Sequence, residues 1–218
     1  MTDFLIIKLH GPMQAWGEHT FEGLRPSANF PTRSGVLGLL GACLGIRRNE
    51  PDRLQQLADS IGIAVRVDER DIRVVKITDY HTVKDARADY IGKEKPHETI
   101  QTWREYLLDA HFSIALWSHP GAVITLDNLE TALRRPYFTP YLGRRSCPLT
   151  RPLFEKRLEA ANAREVLQCI APHNGTIYSE EGDETVRRFR VRDVPLVMQP
   201  RQFAARNIYV YGGEHVPE

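Results

Sequence analysis

Between Tyr137 and Ser146 the chain reads Tyr-Phe-Thr-Pro-Tyr-Leu-Gly-Arg-Arg-Ser, interleaving three aromatic rings with two adjacent guanidinium groups. Flat rings stack on bases, and arginine grips phosphate with a rigid fork of donors. A glycine lets backbone come close, so these residue types suit single-stranded RNA. The competing reading is that some of these rings fill core. A second candidate opens a helix: Pro31-Thr32-Arg33-Ser34-Gly35 gathers a cation, two hydroxyls and free backbone N–H groups at the positive end of a dipole. That is a generic phosphate site. Ordinary N-capping by Thr32 or Ser34 would use the same residues, and the sequence leaves both open. A third candidate is His81 and His97, which flank a polar stretch holding Lys84, Lys93 and Lys95. A His/Lys pair can cleave RNA without metal, taking the 2′-OH proton and stabilising charge at phosphorus. A solvated loop histidine is the plain alternative.

Other chemistries find no purchase. No HxH, HExxH or HxxE set stands on one predicted element, so no metal site is indicated. Cys43, Cys147 and Cys169 are odd in number and lack CxxC spacing, which points to neither disulfides nor zinc. There is no GxSxG, no phosphate-binding P-loop and no GxGxxG; the glycines of 35–45 lie inside a helix and read as a packing ridge. No cofactor is expected. The apolar run Phe4–Ile7 is flanked by Asp3 and Lys8, unlike a secretory signal, and no apolar stretch approaches the ~20 residues of a membrane span. A cytoplasmic location and no membrane contact are the expectation.

The net charge is only +1, yet its distribution is uneven. Arginine greatly outnumbers lysine, the choice suited to phosphate and base recognition more than to plain solubility. Arg134, Arg135, Arg144, Arg145, Arg151, Lys156 and Arg157 face a single acid, Glu155, in their stretch. Arg187, Arg188, Arg190, Arg192, Arg201 and Arg206 face only Asp193, while acids concentrate at Glu180-Glu181-Gly182-Asp183-Glu184. Separated basic stretches of this kind fit one nucleic-acid face beside protein-facing surfaces. Solvated faces are the bland reading.

These residues need elements to hold them. Asp3–Leu9 reads as a strand. The long irregular stretch 10–32 carries Trp16, Phe21 and Phe30, aromatics that argue for order. A helix follows from Thr32 or Ser34 to Gly45, with Val36, Leu39, Leu40 and Cys43 inward. A short helix begins at Pro51. Ile61–Val67 and Ile72–Thr78 predict a hairpin around Asp68-Glu69-Arg70-Asp71. Residues 79–99 are polar and read as an excursion from the core. Thr102–Leu108 and Phe112–Trp117 are strands; Asp127–Leu133 is a helix with a capping box from Asp127 to Glu130, and Asn162 caps another. Short strands fill the rest. The expected fold class is α+β: a ferredoxin-like domain over 1–150 with an inserted thumb at about 79–99, and a smaller C-terminal β-rich region over 151–218.

The blocks GPMQAWG (11–17), FEGLRP (21–26), FPTRSGVLGLLGACLGI (30–46), DYHTV (79–83), HETIQTWREYLLDA (97–110), PYLGRRSCPLTRPLF (140–154) and PRQFAAR (200–206) closely resemble a known family. It is the fifth family of Cas proteins, RAMP-superfamily subunits of type I-E CRISPR surveillance complexes (Cascade). The resemblance spans nearly the whole chain, thinning over 155–175 and at the end. It implies the RAMP-type ferredoxin-like domain, the thumb and the C-terminal β region. It further implies a subunit holding the 5′ handle of the guide RNA, with the complex's backbone subunit and large subunit as protein partners and target DNA met only through the complex. Arg25, Arg33, Ser34, Gly35, His81, Lys93, Lys95, Arg104, Tyr137, Tyr141, Arg144, Arg145, Arg201 and Arg206 are the expected RNA-binding residues. Relatives in type I-C systems process the guide precursor with Tyr, Lys and an adjacent His. Here Pro96 separates Lys95 from His97 and no Lys-His dipeptide occurs, so a non-catalytic subunit is expected, with metal-independent endoribonuclease as the alternative.

Overall fold

The computed structural model describes residues 1–18, 20, 23–70, 74–84, 99–183, 185–198 and 201–212. In chain order the elements are β1 (Thr2–His10), β2 (Met13–Gln14), β3 (Trp16–Gly17), β4 (Leu24–Arg25), β5 (Ser27–Ala28), α1 (Arg33–Cys43), α2 (Pro51–Ser60), β6 (Ile61–Asp68), β7 (Val75–Lys84), β8 (Thr99–Leu108) and β9 (His111–Ser118). They continue with α3 (Leu126–Arg134), β10 (Phe154–Ala160), α4 (Ala163–Gln168), β11 (Gly175–Ser179), β12 (Arg188–Met198) and β13 (Arg201–Tyr211). The architecture is mixed α/β and mainly sheet. No helix among the described residues is long and apolar enough to cross a membrane.

The main sheet runs β10-β1-β9-β6-β11-β13-β12, every neighbouring pair antiparallel. Strand alternation sorts its side chains into two cores. Leu5, Ile7 and Leu9 of β1 join Val36, Leu39 and Leu40 of α1 and Leu129 and Leu133 of α3 on one face. Phe4 and Ile6 meet Ala163, Val166 and Leu167 of α4 on the other. The strands after residue 150 extend this sheet at both ends, β10 beside β1 and β11 beside β6, so the C-terminal region is not a sheet apart.

The expected hairpin of residues 61–78 does not form. β6 pairs with β9 and β11, whereas β7 pairs with β8 in a separate four-stranded sheet that also includes β2 and β4. The physical reason lies in burial. All but one residue of β6 is buried, which requires a central position, while β7 is mostly exposed. Residues 79–84 of the polar excursion are therefore strand, in register with 99–104.

Local signals explain the helices. Thr32 caps α1, its hydroxyl accepting the Gly35 N–H at 3.3 Å. The glycine ridge is packed at its ends and open in the middle: a Cβ on Gly35 would lie 2.8 Å from the buried Trp16 ring and one on Gly41 3.6 Å from Leu54 of α2, whereas one on Gly38 would meet open space. α3 is capped by Thr125 with Asn128 as the reciprocal partner, two residues before the expected Asp127–Glu130 box. Asn162 caps α4 as its sequence position suggests.

Candidate nucleic-acid interface

The β7–β8 ribbon stands on the second sheet with two unlike faces. Alternation from the β7–β8 register places His81 and Asp79 with Thr102, Arg104 and Tyr106 on one face. β4 lies parallel to β8 with Arg25 opposite Arg104, which brings a second guanidinium-bearing residue beside the first. Arg104 donates from Nε to Thr102 Oγ1 at 3.1 Å and has no carboxylate partner among the described residues. His81 Nε2 lies 2.6 Å from Asp79 Oδ2. On the opposite face Tyr80 and Trp103 pair across the strands at 5.5 Å, both close to half exposed.

The Tyr137–Ser146 segment reaches this ribbon because backbone contacts hold it there. Leu142 is fully buried, and its carbonyl accepts the Ala15 N–H at 3.1 Å. Gly143 follows with φ +86°, and a Cβ there would sit 1.7 Å from the Ala15 carbonyl oxygen, so only glycine fits. The close backbone approach expected of this glycine is thus made to Ala15. Arg144 is aimed by the same turn: it donates to the carbonyls of Glu105 and Arg25, each at 3.0 Å, with its guanidinium 4.6 Å from the Tyr106 ring centre. Arg145 is exposed and has no hydrogen-bond or ion-pair partner among the described residues. Arg25, His81, Arg104, Arg144 and Arg145 therefore gather around β4 and β8, with the half-buried Tyr141 just before them in the turn. Tyr137 is held elsewhere, its N–H on the Cys43 carbonyl and its ring against Gly45 at the end of α1, 71% exposed.

The helix-start candidate requires a correction. Arg33 is buried at 7% exposure, and its guanidinium donates to Glu180 and to the carbonyls of Ala58 and Ile61. Its backbone N–H donates to Asp193 at 2.7 Å, so a carboxylate from the same chain already occupies the positive end of the dipole. Ser34 is half-buried with its hydroxyl 3.4 Å from that of Thr32, and Gly35 serves Trp16 and the cap. Arg206 is corrected for the same reason: it donates from Nε and Nη2 to Asp193 at 2.6 and 2.8 Å and from Nη1 to Glu180 at 3.0 Å. The charge of both arginines is neutralised inside the fold. Lys93, Lys95, His97 and the side chain of Arg201 lie outside the described residues.

Sequence reading missed three contributors. Tyr106 forms the ring beneath Arg144, Lys76 donates to the Ser27 carbonyl at 2.8 Å near Glu105, and Trp103 pairs with Tyr80. Two of them sit in blocks already quoted for the family resemblance, where strand alternation would have separated the faces. At the far end of β1, His10 and His111 stack with ring centres 3.8 Å apart. Burial and the neighbouring His111, Arg151 and Lys8 push the His10 imidazole down to about 4, and burial lowers His111 as well.

The family model described as "CRISPR-associated protein (Cas_Cas5)" matches residues 4–209, and the chain belongs to that family. It is similar to CRISPR system Cascade subunit CasD of Escherichia coli (strain K12), 53% identical over 98% of this chain and 97% of that protein. A solved chain of a CRISPR RNA-guided surveillance complex superposes with TM-score 0.72 at 30% identity, covering 95% of this chain and 89% of that one. A crystal structure of a Cas protein gives TM-score 0.65 at 30% identity, covering 95% and 93%.

Proposed function

We propose that this protein is a non-catalytic RNA-binding subunit of a cytoplasmic CRISPR surveillance complex, one that caps the 5′ handle of the guide RNA and joins the backbone and large subunits. The observation that carries the reading is near full-length similarity to a Cascade subunit combined with a cationic surface at β4, β8 and the Tyr141–Arg145 turn. Arg25, Arg104, Arg144 and Arg145 supply phosphate donors, Tyr141 offers a stacking ring, and His81 a further donor. A ferredoxin-like core of RAMP type is supported by strand order. Taking β1, β6, β9 and β10 as strands one to four gives the spatial order 4-1-3-2, with α1 and α3 in the two crossovers. The hairpin β7–β8, inserted between strands two and three, answers to the thumb.

The endoribonuclease alternative rests on His81 with Asp79 beside it, a pairing of imidazole and carboxylate suited to proton transfer, although Nε2 makes no hydrogen bond among the described residues. Cleavage also needs a second proton-transfer group at the leaving oxygen, and among the described residues the cations on the face of His81 are arginines, which do not give up a proton.

The test is coexpression with the other complex subunits and a repeat-spacer transcript. The subunit should copurify with guide RNA, and Arg104→Ala with Arg145→Ala should reduce that recovery. Purified protein with repeat RNA in chelator should yield no specific product. A product at the handle boundary that vanishes in His81→Ala overturns the non-catalytic reading, and unchanged RNA recovery in the double variant removes this surface from RNA binding.

A further inference from the structure

The edge of the main sheet holds a basic surface that the site above does not use. Among the described residues β12 is the terminal strand of the main sheet, paired with β13 on one side. Phe189 and Val191 turn toward the core formed with α1, so Arg188, Arg190 and Arg192 share the opposite face by alternation. That face carries the second core farther along the sheet, where α4 packs on β6, β9, β10 and β11. Beyond β11 the reach of α4 is its Arg164, whose guanidinium lies 5.1 Å from the Tyr211 ring of β13; among the described residues no helix covers the β12–β13 face at Arg188, Arg190 and Arg192. Opposite the three arginines across the ribbon stand Tyr209, Asn207 and Ala205.

The charges on this face are unbalanced. Asp193 and Glu180 are turned to the other side and bound to Arg33 and Arg206, and the remaining nearby acids, Glu181 and Asp183, flank Gly182 beside Tyr209 at the Arg188 end of the face. Arg188 and Arg190 are exposed and have no hydrogen-bond or carboxylate partner among the described residues; Arg192 donates once, to the Phe203 carbonyl at 2.9 Å. Alternate residues of a strand repeat every ~6.7 Å. A row of guanidinium groups at that interval matches successive phosphates of an extended strand and has no counterpart in a compact ligand.

We infer that Arg188, Arg190 and Arg192 form a second polynucleotide track, binding the sugar-phosphate backbone of a single strand without reading its sequence. The small side chains of Ala205 and Asn207 leave the backbone room to lie along the ribbon. Tyr209, the remaining partner across the ribbon, lies against Gly182, whose added Cβ would meet its ring at 2.4 Å. Base stacking is accordingly a minor part, and charge carries the affinity.

The measurement is binding of the full chain to fluorescein-labelled oligo(dT), which has no handle sequence, over a series of salt concentrations. Single-strand binding loses about 0.7 in the slope of log K against log salt for each phosphate contact removed. Arg188→Ala, Arg190→Ala and Arg192→Ala together should flatten the slope by about 2, and Arg190→Ala alone by about 0.7. The triple lysine variant should restore it. The preference for handle RNA over a scrambled RNA should be unchanged in these variants and should fall in Arg104→Ala with Arg145→Ala, which separates the two surfaces. An unchanged oligo(dT) slope in Arg190→Ala and in the triple variant overturns the inference. So does a triple variant that loses poly-glutamate binding while keeping oligo(dT), because the face would then serve an acidic protein.

Discussion

The Asp193 carboxylate sits 2.7 Å from the backbone nitrogen of Arg33, at the first turn of α1. Asp193 lies beside a register shift in the β12–β13 ladder and is 3% exposed. It thus closes a helix N-terminus with a residue from the opposite end of the chain, and Arg206 grips it from the other side through two donors. An anion site legible at the start of α1 is filled from within, and it ties the edge strands of the sheet to the helix that covers them.

Removing that carboxylate should cost stability and leave RNA binding alone. Asp193→Asn keeps the shape but leaves Arg206 with Glu180 as its sole acid and α1 without its counter-charge. Breaking a buried pair from one side costs about 3–5 kcal/mol. A urea midpoint lowered accordingly, with an unaltered salt slope for handle RNA, is the expected outcome. A wild-type midpoint would mean that the network adds nothing to the fold.

Arg144 and Arg145 should separate in their effects although they are adjacent. Arg144 bridges two backbone carbonyls from different strands and covers the Tyr106 ring, so Arg144→Ala should lower the free protein's stability by about 1–3 kcal/mol. Arg145 touches no described partner, and Arg145→Ala should stay within about 0.5 kcal/mol of wild type. Both should weaken handle binding. Equal unfolding midpoints for the two variants would contradict the geometry.

Acid should destabilise the protein through the stacked imidazoles. His10 titrates at about 4 when folded, against 6.5 for a free imidazole, so the unfolded chain binds the proton more readily between those values. Stability is therefore full above pH 6.5 and falls as pH drops toward 4; the lowered His111 acts in the same direction. His10→Phe keeps a flat ring against His111 and removes the titration. Its thermal midpoint should fall less than that of wild type between pH 7 and pH 4.5, and parallel curves would sink the assignment.

How much of this was legible depended on the range of each signal. Thr32, Pro51 and Asn162 act within one helical turn, and each sits at its helix start as read. The apolar run at Asp3–Leu9 gave a central strand for the same reason. Partner choice is a long-range matter: period-two patterning identifies β6 and β7 as strands but does not say that β6 lies between β9 and β11. The fuller apolar run of β6 against the polar alternation of β7 was the available clue. Arg33 and Arg206 look like surface cations because their acids, Glu180 and Asp193, come from elements that only the folded sheet brings together. Arg144 stands in a local cluster of aromatic and basic residues that the sequence displays, and Arg104 in a block that the family resemblance singled out; the Tyr106 ring and the backbone grip of Arg144 needed the parallel pairing of β4 with β8.

Closing the β7–β8 ribbon should test what the inserted segment contributes. Lys84 and Thr99 are directly opposed in the antiparallel register, so an Asn-Gly pair replacing residues 85–98 would join them in a two-residue turn. Every strand pair from Val75–Leu108 to Lys84–Thr99 is retained, and none of the core residues among the described residues is altered. The shortened protein should therefore unfold at the wild-type midpoint. If the segment acts as the thumb, handle RNA binding and incorporation with the other subunits should fall sharply in coexpression. A shortened chain that no longer folds would place residues 85–98 in the core, and one that assembles normally would leave RNA and subunit contact to the cationic face of Arg25, Arg104 and Arg145.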